Sequence, residues 1–234
     1  MLSVDLHTHS EASFDGRDSI DLILRQAKAV GLDAVAITDH DEVWASREAV
    51  EHADDDLIVI PGMEVSSAAG HVLSLGTDTK IPPNLSFAET VSRIRDSGGL
   101  AVVPHPYQET RSGVLKNISE DALEIADAIE VYNSRLLTGR ANRQARQFAT
   151  ERDLPMTAGS DAHVCEMVGQ AVTEVDPDER TVEGVLTEIR NGRTRVKGTR
   201  TPWRISFRQA AGGAKRRVKH RLEEVADRFT TGRS

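Results

Sequence analysis

Nine residues whose side chains ligate divalent cations stand at or beside the ends of short apolar runs. They are His7 and His9 in "DLHTHS", Asp15 in the loop that follows, His40 in "ITDH", Glu64 in "GMEV", His71 in "GHVLSLG", His105 in "PHP", and Asp161 and His163 in "GSDAH". Neutral imidazole with carboxylate is the donor set of Zn²⁺, Mn²⁺ or Fe²⁺. On an extended strand residues i and i+2 point the same way, so His7 and His9 can reach one ion. Asp161 and His163 repeat that spacing, but a loop there can direct them to different ions. A single histidine at a strand end is ordinarily a hydrogen-bonded structural residue. Six of the eight histidines grouped this way with three carboxylates are not what packing or solvation produces, and only His52, in a helical pattern, and His220, near the C-terminus, fall outside the set.

These positions need a scaffold that brings them together. Runs such as "SVDLH", "DAVAITDH", "LIVIPGMEV", "HVLSLG", "LAVVPHP", "DAIEVYN" and "PMTAGSDAH" read as strands. Between them lie helical patterns: "SIDLILRQAKAVG" with Gly31 as its C-cap, "EVWASREAVEHA", "SFAETVSRIRDSGG" with a Ser86 and Glu89 capping-box pattern, "SEDALEIA" and "LTGRANRQARQFATERD". "TVEGVLTEIRNG" follows the last strand as a further helix. Strand and helix in alternation predict parallel βαβ units, as a barrel or an open doubly wound sheet. In either, loops after the strand C-termini converge on one face and make distant residues neighbours.

The chain has 234 residues and a net charge of −8, unevenly spread: residues 201–234 hold nine Lys+Arg against three Asp+Glu, a balance of +6, which leaves −14 on residues 1–200. The expectation is a main domain over 1–200 and a basic helical appendage over 201–234, beginning near "GTRTPW". The appendage is expected to pack as a helix with a solvated basic face, with nucleic-acid or phosphate attraction and membrane-surface contact as the alternatives. One cysteine, Cys165, excludes an internal disulfide and fits a reducing cytoplasm, and it reads as a small packed residue rather than a ligand. No leader pattern and no run of membrane-spanning length is visible, so a cytoplasmic location is expected. Trp44, Trp203 and the few phenylalanines read as packing residues.

"DLHTHS", "ITDH", "GMEVS", "GHVLSLG", "PHP" and "GSDAH" resemble, in order and spacing, the motifs of the PHP (polymerase and histidinol phosphatase) family over roughly residues 3–200. The resemblance implies an α/β fold, a distorted (β/α)7 TIM-like barrel, with a trinuclear metal centre and phosphoester hydrolysis. It implies that His7, His9, Glu64 and Asp161 hold one ion. Glu64 would bridge to a second ion held by His71 and His105, and Asp15, His40 and His163 would hold a third.

Three divalent ions against three carboxylates leave a centre of charge about +3, which favours an anionic substrate such as a phosphate monoester. The expected chemistry is in-line attack by a metal-bridging water on phosphorus, with His7, His9, Glu64, His105 and Asp161 at the centre of the catalytic machinery. Arg111 and Arg135, just past strand ends, are candidates to hold a substrate phosphate. Asn133 is a further substrate-contact candidate, and water, Asp39, Asp41 and the ligand histidines are candidates to protonate the leaving group. The substrate expected is a small phosphorylated metabolite or nucleotide, a nucleoside bisphosphate or similar. The alternatives are a nuclease trimming short oligonucleotides or RNA 5′ ends, a histidinol phosphatase, and a non-enzymatic binding module. The complete ligand set counts against the last.

Overall fold

The computed structural model describes residues 1–108, 113–136 and 139–200. Arg111, Trp203 and the basic appendage of 201–234 lie outside the described residues. The ordered elements are strands β1 (Leu2–Thr8), β2 (Ala34–Ile37), β3 (Ile58–Ser66), β4 (His71–Leu75), β5 (Leu100–Val103), β6 (Ala128–Asn133), β7 (Met156–Gly159), β8 (Ala171–Val175) and β9 (Arg195–Gly198). Five α-helices are interspersed: α1 (Ile20–Ala29), α2 (Trp44–Glu51), α3 (Phe87–Asp96), α4 (Gly139–Glu151) and α5 (Val182–Arg190).

The strands form one sheet in the order β7-β6-β5-β4-β3-β2-β1-β8-β9. The sheet curls until β7 meets β1, where His9 N donates to Ala162 O (2.8 Å) and Ala162 N to His7 O (3.3 Å). The result is a nearly closed, barrel-like α/β fold. Four strand pairs are parallel, but β4 runs antiparallel to both β3 and β5, and β8 and β9 are antiparallel additions. The antiparallel pairs are additions to the parallel βαβ units that the alternation of strand and helix predicts. Only four residues separate β3 from β4, enough for a hairpin and far short of a parallel crossover.

Side chains alternate between two apolar layers, as the period of a strand requires. Outward-facing Val35, Ile37 and Val59 pack against Ile23, Leu24 and Ala27 of α1 and Ala45 and Ala49 of α2. Val65, Val103 and Val131 meet Phe87, Val91 and Ile94 of α3 and Phe148 and Ala149 of α4. Inward-facing Ala36, Ile60, Leu73, Leu75 and Val102 join Val185, Leu186 and Ile189 of α5. Leu186 abuts Gly76, just past the end of β4, so α5 plugs the end of the barrel opposite His71.

Helix ends follow their capping chemistry. Gly31 adopts φ 78° after α1, with Gly31 N bonded to Lys28 O and Leu32 N to Ala27 O, the paired bonds of a Schellman motif. Ser86 Oγ accepts from Glu89 N at the start of α3, while the Glu89 carboxylate turns instead to Arg93. Two segments depart from expectation: "SEDALEIA" forms a 3-10 helix over Glu120–Ile125, and Trp44 is 48% exposed rather than packed. Phe14 is also partly exposed, stacked on the His40 ring at 4.9 Å.

Candidate metal centre

All nine predicted ligand residues meet at one end of the barrel. His7 lies in β1 and His9 just past it. Asp15 comes from the following loop, His40 from beyond β2, Glu64 from β3 and His105 from beyond β5, with Asp161 and His163 beyond β7. His71 is the first residue of its strand, yet it reaches the same face because β4 runs antiparallel to β3. Seven of the nine are buried; His40 and His71 are partly exposed at the mouth.

Glu64 is the centre. Its Oε2 lies 3.5 Å from His7 Nε2, 3.3 Å from His9 Nε2 and 3.1 Å from His40 Nδ1. Its Oε1 lies 2.7 Å from His71 Nδ1 and 3.3 Å from His105 Nε2. Asp161 Oδ1 stands 3.9 and 3.6 Å from His7 and His9 Nε2 and 3.2 Å from His163 Nδ1, while Asp15 Oδ2 meets His163 Nε2 at 2.9 Å. Donor atoms fall into overlapping sets within 4.8 Å of one another: His9, Asp15, His40 and His163; His7, His105 and Asp161; His7, His9 and Glu64; and His40, Glu64 and His71. The sets interlock through shared histidines and Glu64 rather than separating into isolated sites.

Several observations match this cluster to cations. His7 Nε2 and His9 Nε2 face each other at 3.1 Å. Asp15 Oδ1, His40 Nδ1, His71 Nδ1 and His105 Nδ1 are buried atoms with no hydrogen-bond partner among the described residues. The contacts of His40 and His71 Nδ1 with Glu64 are close but off the hydrogen-bonding direction. Buried polar atoms left in this way are costly unless a ligand joins them. Burial raises the cost of charge on Glu64 and Asp161. The neighbouring histidines, and Arg135 beside Asp161, outweigh it and hold both carboxyls well below their usual range. His9 and His40 are shifted down, first by burial and then by neighbouring imidazoles. His7 is shifted up despite its burial, because Glu64, Glu130 and Asp161 surround it. Ionised carboxylates and neutral imidazoles are the forms that ligate a cation, so Glu64, Asp161, His9 and His40 are shifted toward ligation, while His7 and His71, held up despite their burial by Glu64, give up a proton to a bound ion.

The sequence reading missed the groups that orient these ligands. Glu130 points inward from β6: Oε1 accepts from His7 Nδ1 (3.0 Å), and Oε2 accepts from His105 N and Asn133 Nδ2, each at 2.9 Å. Ser13 Oγ donates to Asp39 Oδ1 (2.7 Å) and accepts from His9 Nδ1 (3.1 Å) and His40 N (3.0 Å). Both arrangements hold the proton on Nδ1 and turn Nε2 toward the cluster, the outer-sphere pattern of metal-ligating histidines. Asp5 lies beneath, accepting from Ser160 N (3.0 Å), Gly169 N (2.8 Å) and His7 N (3.3 Å), and burial pushes it up to about 6. One signal was available: Asp5 and Glu130 are the single acidic residues of their strands, each between apolar neighbours. Gly159 on β7 is required by packing, since a Cβ there would collide with His7 Cβ and Glu130 Oε1. His105 (φ 34°) and Asp161 (φ 52°) both hold left-handed backbone, the kind of strain that clusters at functional sites.

Other candidates are placed differently. Arg135 joins the cluster, its Nη1 donating to Asp161 Oδ1 (3.0 Å) and to His163 Nε2 (2.7 Å). Asn133 Nδ2 reaches Asp161 Oδ2 at 3.4 Å as well as Glu130. Asp39 is fully buried and engaged by Ser10 and Ser13, and Asp41, partly exposed, accepts from Ser66 N through Oδ1. Cys165 lies apart beside Asp18 and Glu166.

Comparison with known proteins agrees with this architecture. The PHP domain model matches residues 5–143, and a PHP-associated model matches 139–194. The chain belongs to the PHP family. An uncharacterized protein of Methanocaldococcus jannaschii is 31% identical over 169 residues, covering 67% of this chain and 96% of its own. A probable phosphatase of Shewanella frigidimarina is 25% identical over 198 residues, covering 71% of this chain and 80% of its own. Among solved structures, a two-domain protein from Bacteroides vulgatus containing a predicted PHP-like metal-dependent phosphoesterase superposes with TM-score 0.71 at 23% identity. That match covers 84% of this chain and 64% of the other, so the chain spans just under two thirds of the two-domain protein. As a PHP-family member the protein is a metal-dependent phosphoesterase, a hydrolase. Among the described residues no helix is long and apolar enough to cross a membrane.

Proposed function

We propose that the nine clustered side chains hold three divalent ions, Mn²⁺, Zn²⁺ or Fe²⁺, and that the protein hydrolyses a phosphoester of a small phosphorylated metabolite or nucleotide, such as a nucleoside bisphosphate. The observation that carries this reading is the interlocked cluster around Glu64, with its opposed imidazole nitrogens and its buried, unpartnered donors. His7, His9, Glu64 and Asp161 form one ligand group, Glu64 extends to His71 and His105, and Asp15, His40 and His163 form the third. Bound divalent ions supply Lewis acidity and activate water. The chain's own part is orientation and charge. Glu130 and Ser13 fix the faces of His7 and His9, and the surrounding imidazoles, with Arg135 beside Asp161, keep the buried carboxylates ionised. Arg135, beside Asp161, is the cation placed to hold a non-bridging phosphate oxygen, and Arg111 is its partner in the proposal. Residues 1–200 are the catalytic unit in this reading, with 201–234 appended, in a cytoplasmic protein.

A nuclease is the second reading. Endonuclease Q, solved with a 27-mer duplex bearing an abasic lesion, shares the fold with TM-score 0.66 at 18% identity, covering 85% of this chain and 60% of its own. The basic residues of 201–234 would support nucleic-acid contact. A panel assay with Mn²⁺ decides among the substrates: p-nitrophenyl phosphate, a nucleoside 3′,5′-bisphosphate, histidinol phosphate and a short RNA. The proposal expects turnover of the small phosphates, lost in His105→Ala while the protein stays folded. Full activity in that variant, or hydrolysis of RNA alone that requires residues 201–234, would overturn it.

A further inference from the structure

Arg135 touches two of the clustered ligand residues at once. Its backbone N donates to Asn133 Oδ1 (3.1 Å), which places the residue just past the end of β6. From there Nη1 reaches Asp161 Oδ1 at 3.0 Å and His163 Nε2 at 2.7 Å. The side chain is 10% exposed, and its Nε is a buried atom with no hydrogen-bond partner among the described residues.

The contact with His163 bears on ligation. His163 Nδ1 lies 2.9 Å from the carbonyl oxygen of Asp161, which can only accept, so in the neutral ring Nδ1 carries the proton and Nε2 is a bare lone pair. That lone pair faces Asp15 Oδ2 at 2.9 Å, one acceptor against another. Two buried acceptors at this distance call for a cation. Arg135 Nη1 is one such cation. A divalent ion held by Asp15, His40 and His163 would be another, and it needs the same lone pair. The guanidinium and the ion therefore oppose each other at His163. Arg135 has a reason to leave, because a buried N–H without an acceptor is costly. Phosphate oxygens accept from the guanidinium fork two at a time. A phosphate group at the centre would give Nε the acceptor it lacks and draw Nη1 away from His163.

We propose that Arg135 couples the third ion to phosphate: it opposes the ion at His163 until a phosphate group takes the guanidinium, so that ion and phosphate bind cooperatively. The proposal rests on the three-ion, phosphoester reading of the cluster. By linkage, each of the two tightens the other by the same factor. The test is calorimetric titration of the metal-free full chain with Mn²⁺, with and without inorganic phosphate, in the wild type and in Arg135→Met, with circular dichroism as the control for folding. Without phosphate, the weakest Mn²⁺ step should tighten about tenfold or more in R135M, the worth of a charge-assisted hydrogen bond to the ligand. Saturating phosphate should close that gap. A residue that only positions Asp161 would lose metal affinity on removal, so the direction of the change separates the two roles. Arg135→Lys, with one donor nitrogen in place of the fork, serves if the methionine variant does not fold, and should shift the same step the same way. A weakest step unchanged or weakened by the substitution, or a gap that phosphate leaves as it is, would overturn the coupling while the metal reading stands. If neither protein takes up Mn²⁺, the metal reading fails and the coupling with it.

Discussion

Substituting Glu130 by Gln should weaken the metal centre without touching a proposed ligand. Glu130 is 1% exposed and accepts three hydrogen bonds: one from His7 Nδ1, one from His105 N and one from Asn133 Nδ2. A glutamine has one acceptor oxygen. That oxygen must stay with His105 N and Asn133 Nδ2, since two donors cannot face an amide NH₂. The NH₂ then faces His7 Nδ1, which becomes the acceptor, and the His7 proton moves to Nε2. That atom faces His9 Nε2 at 3.1 Å and Glu64 Oε2 at 3.5 Å, so the proton blocks the nitrogen that must ligate. Outer-sphere substitutions of this kind cost about 10- to 100-fold in metal affinity, roughly 1.4–2.7 kcal/mol. Calorimetric titration of the metal-free protein with Mn²⁺ near neutral pH measures the loss, with circular dichroism as the control for folding. An affinity within twofold of the wild type in a folded E130Q protein would refute the tautomer argument.

Other predictions follow from the same geometry. Mn²⁺ at a hundredfold excess over its Kd should stabilise the fold by about 2.7 kcal/mol per site, roughly 5–10 °C in a thermal melt of a domain this size. An unchanged melt would contradict cation binding to the folded cluster. The gain should shrink as pH falls. His7 is held above its ordinary value, so below its pKa a proton competes with the metal for Nε2; an affinity that rises on acidification would contradict this. Gly159→Ala should lose metal affinity and melt earlier, because the new methyl meets His7 Cβ and Glu130 Oε1; a wild-type titration would show that the strand moves aside. Cys165, pushed up to about 11 by burial and by Asp18 and Glu166, should alkylate at pH 8 on the order of a hundredfold more slowly than an unperturbed thiol. A rate typical of free cysteine would show that the carboxylates do not face it.

Much of the site was legible because strand ends mark it in the chain. His40, His105 and Asp161 each follow a buried apolar run, and a βα scaffold gathers such positions. His71 did not fit that rule until its strand proved antiparallel, which the four-residue link from Ser66 already required. β8 and β9 were not anticipated. β8 alternates buried and partly exposed residues, and β9 is exposed along most of its length, so neither shows the apolar run that marks the inner strands. Glu130, Asp5 and Ser13 escaped for another reason. Their role depends on which atom they face across the barrel, and spacing along one strand does not encode contacts such as that between His7 and Glu130, 123 residues apart.

The central claim is tested most directly by the metal content of the protein purified without chelators, measured by elemental analysis together with native mass spectrometry. The account predicts three first-row divalent ions per chain held by the interlocked sets around Glu64, with fewer retained in Glu64→Ala. A folded wild-type protein that carries no such ion and takes up none from excess Mn²⁺, Zn²⁺ or Fe²⁺ would contradict it.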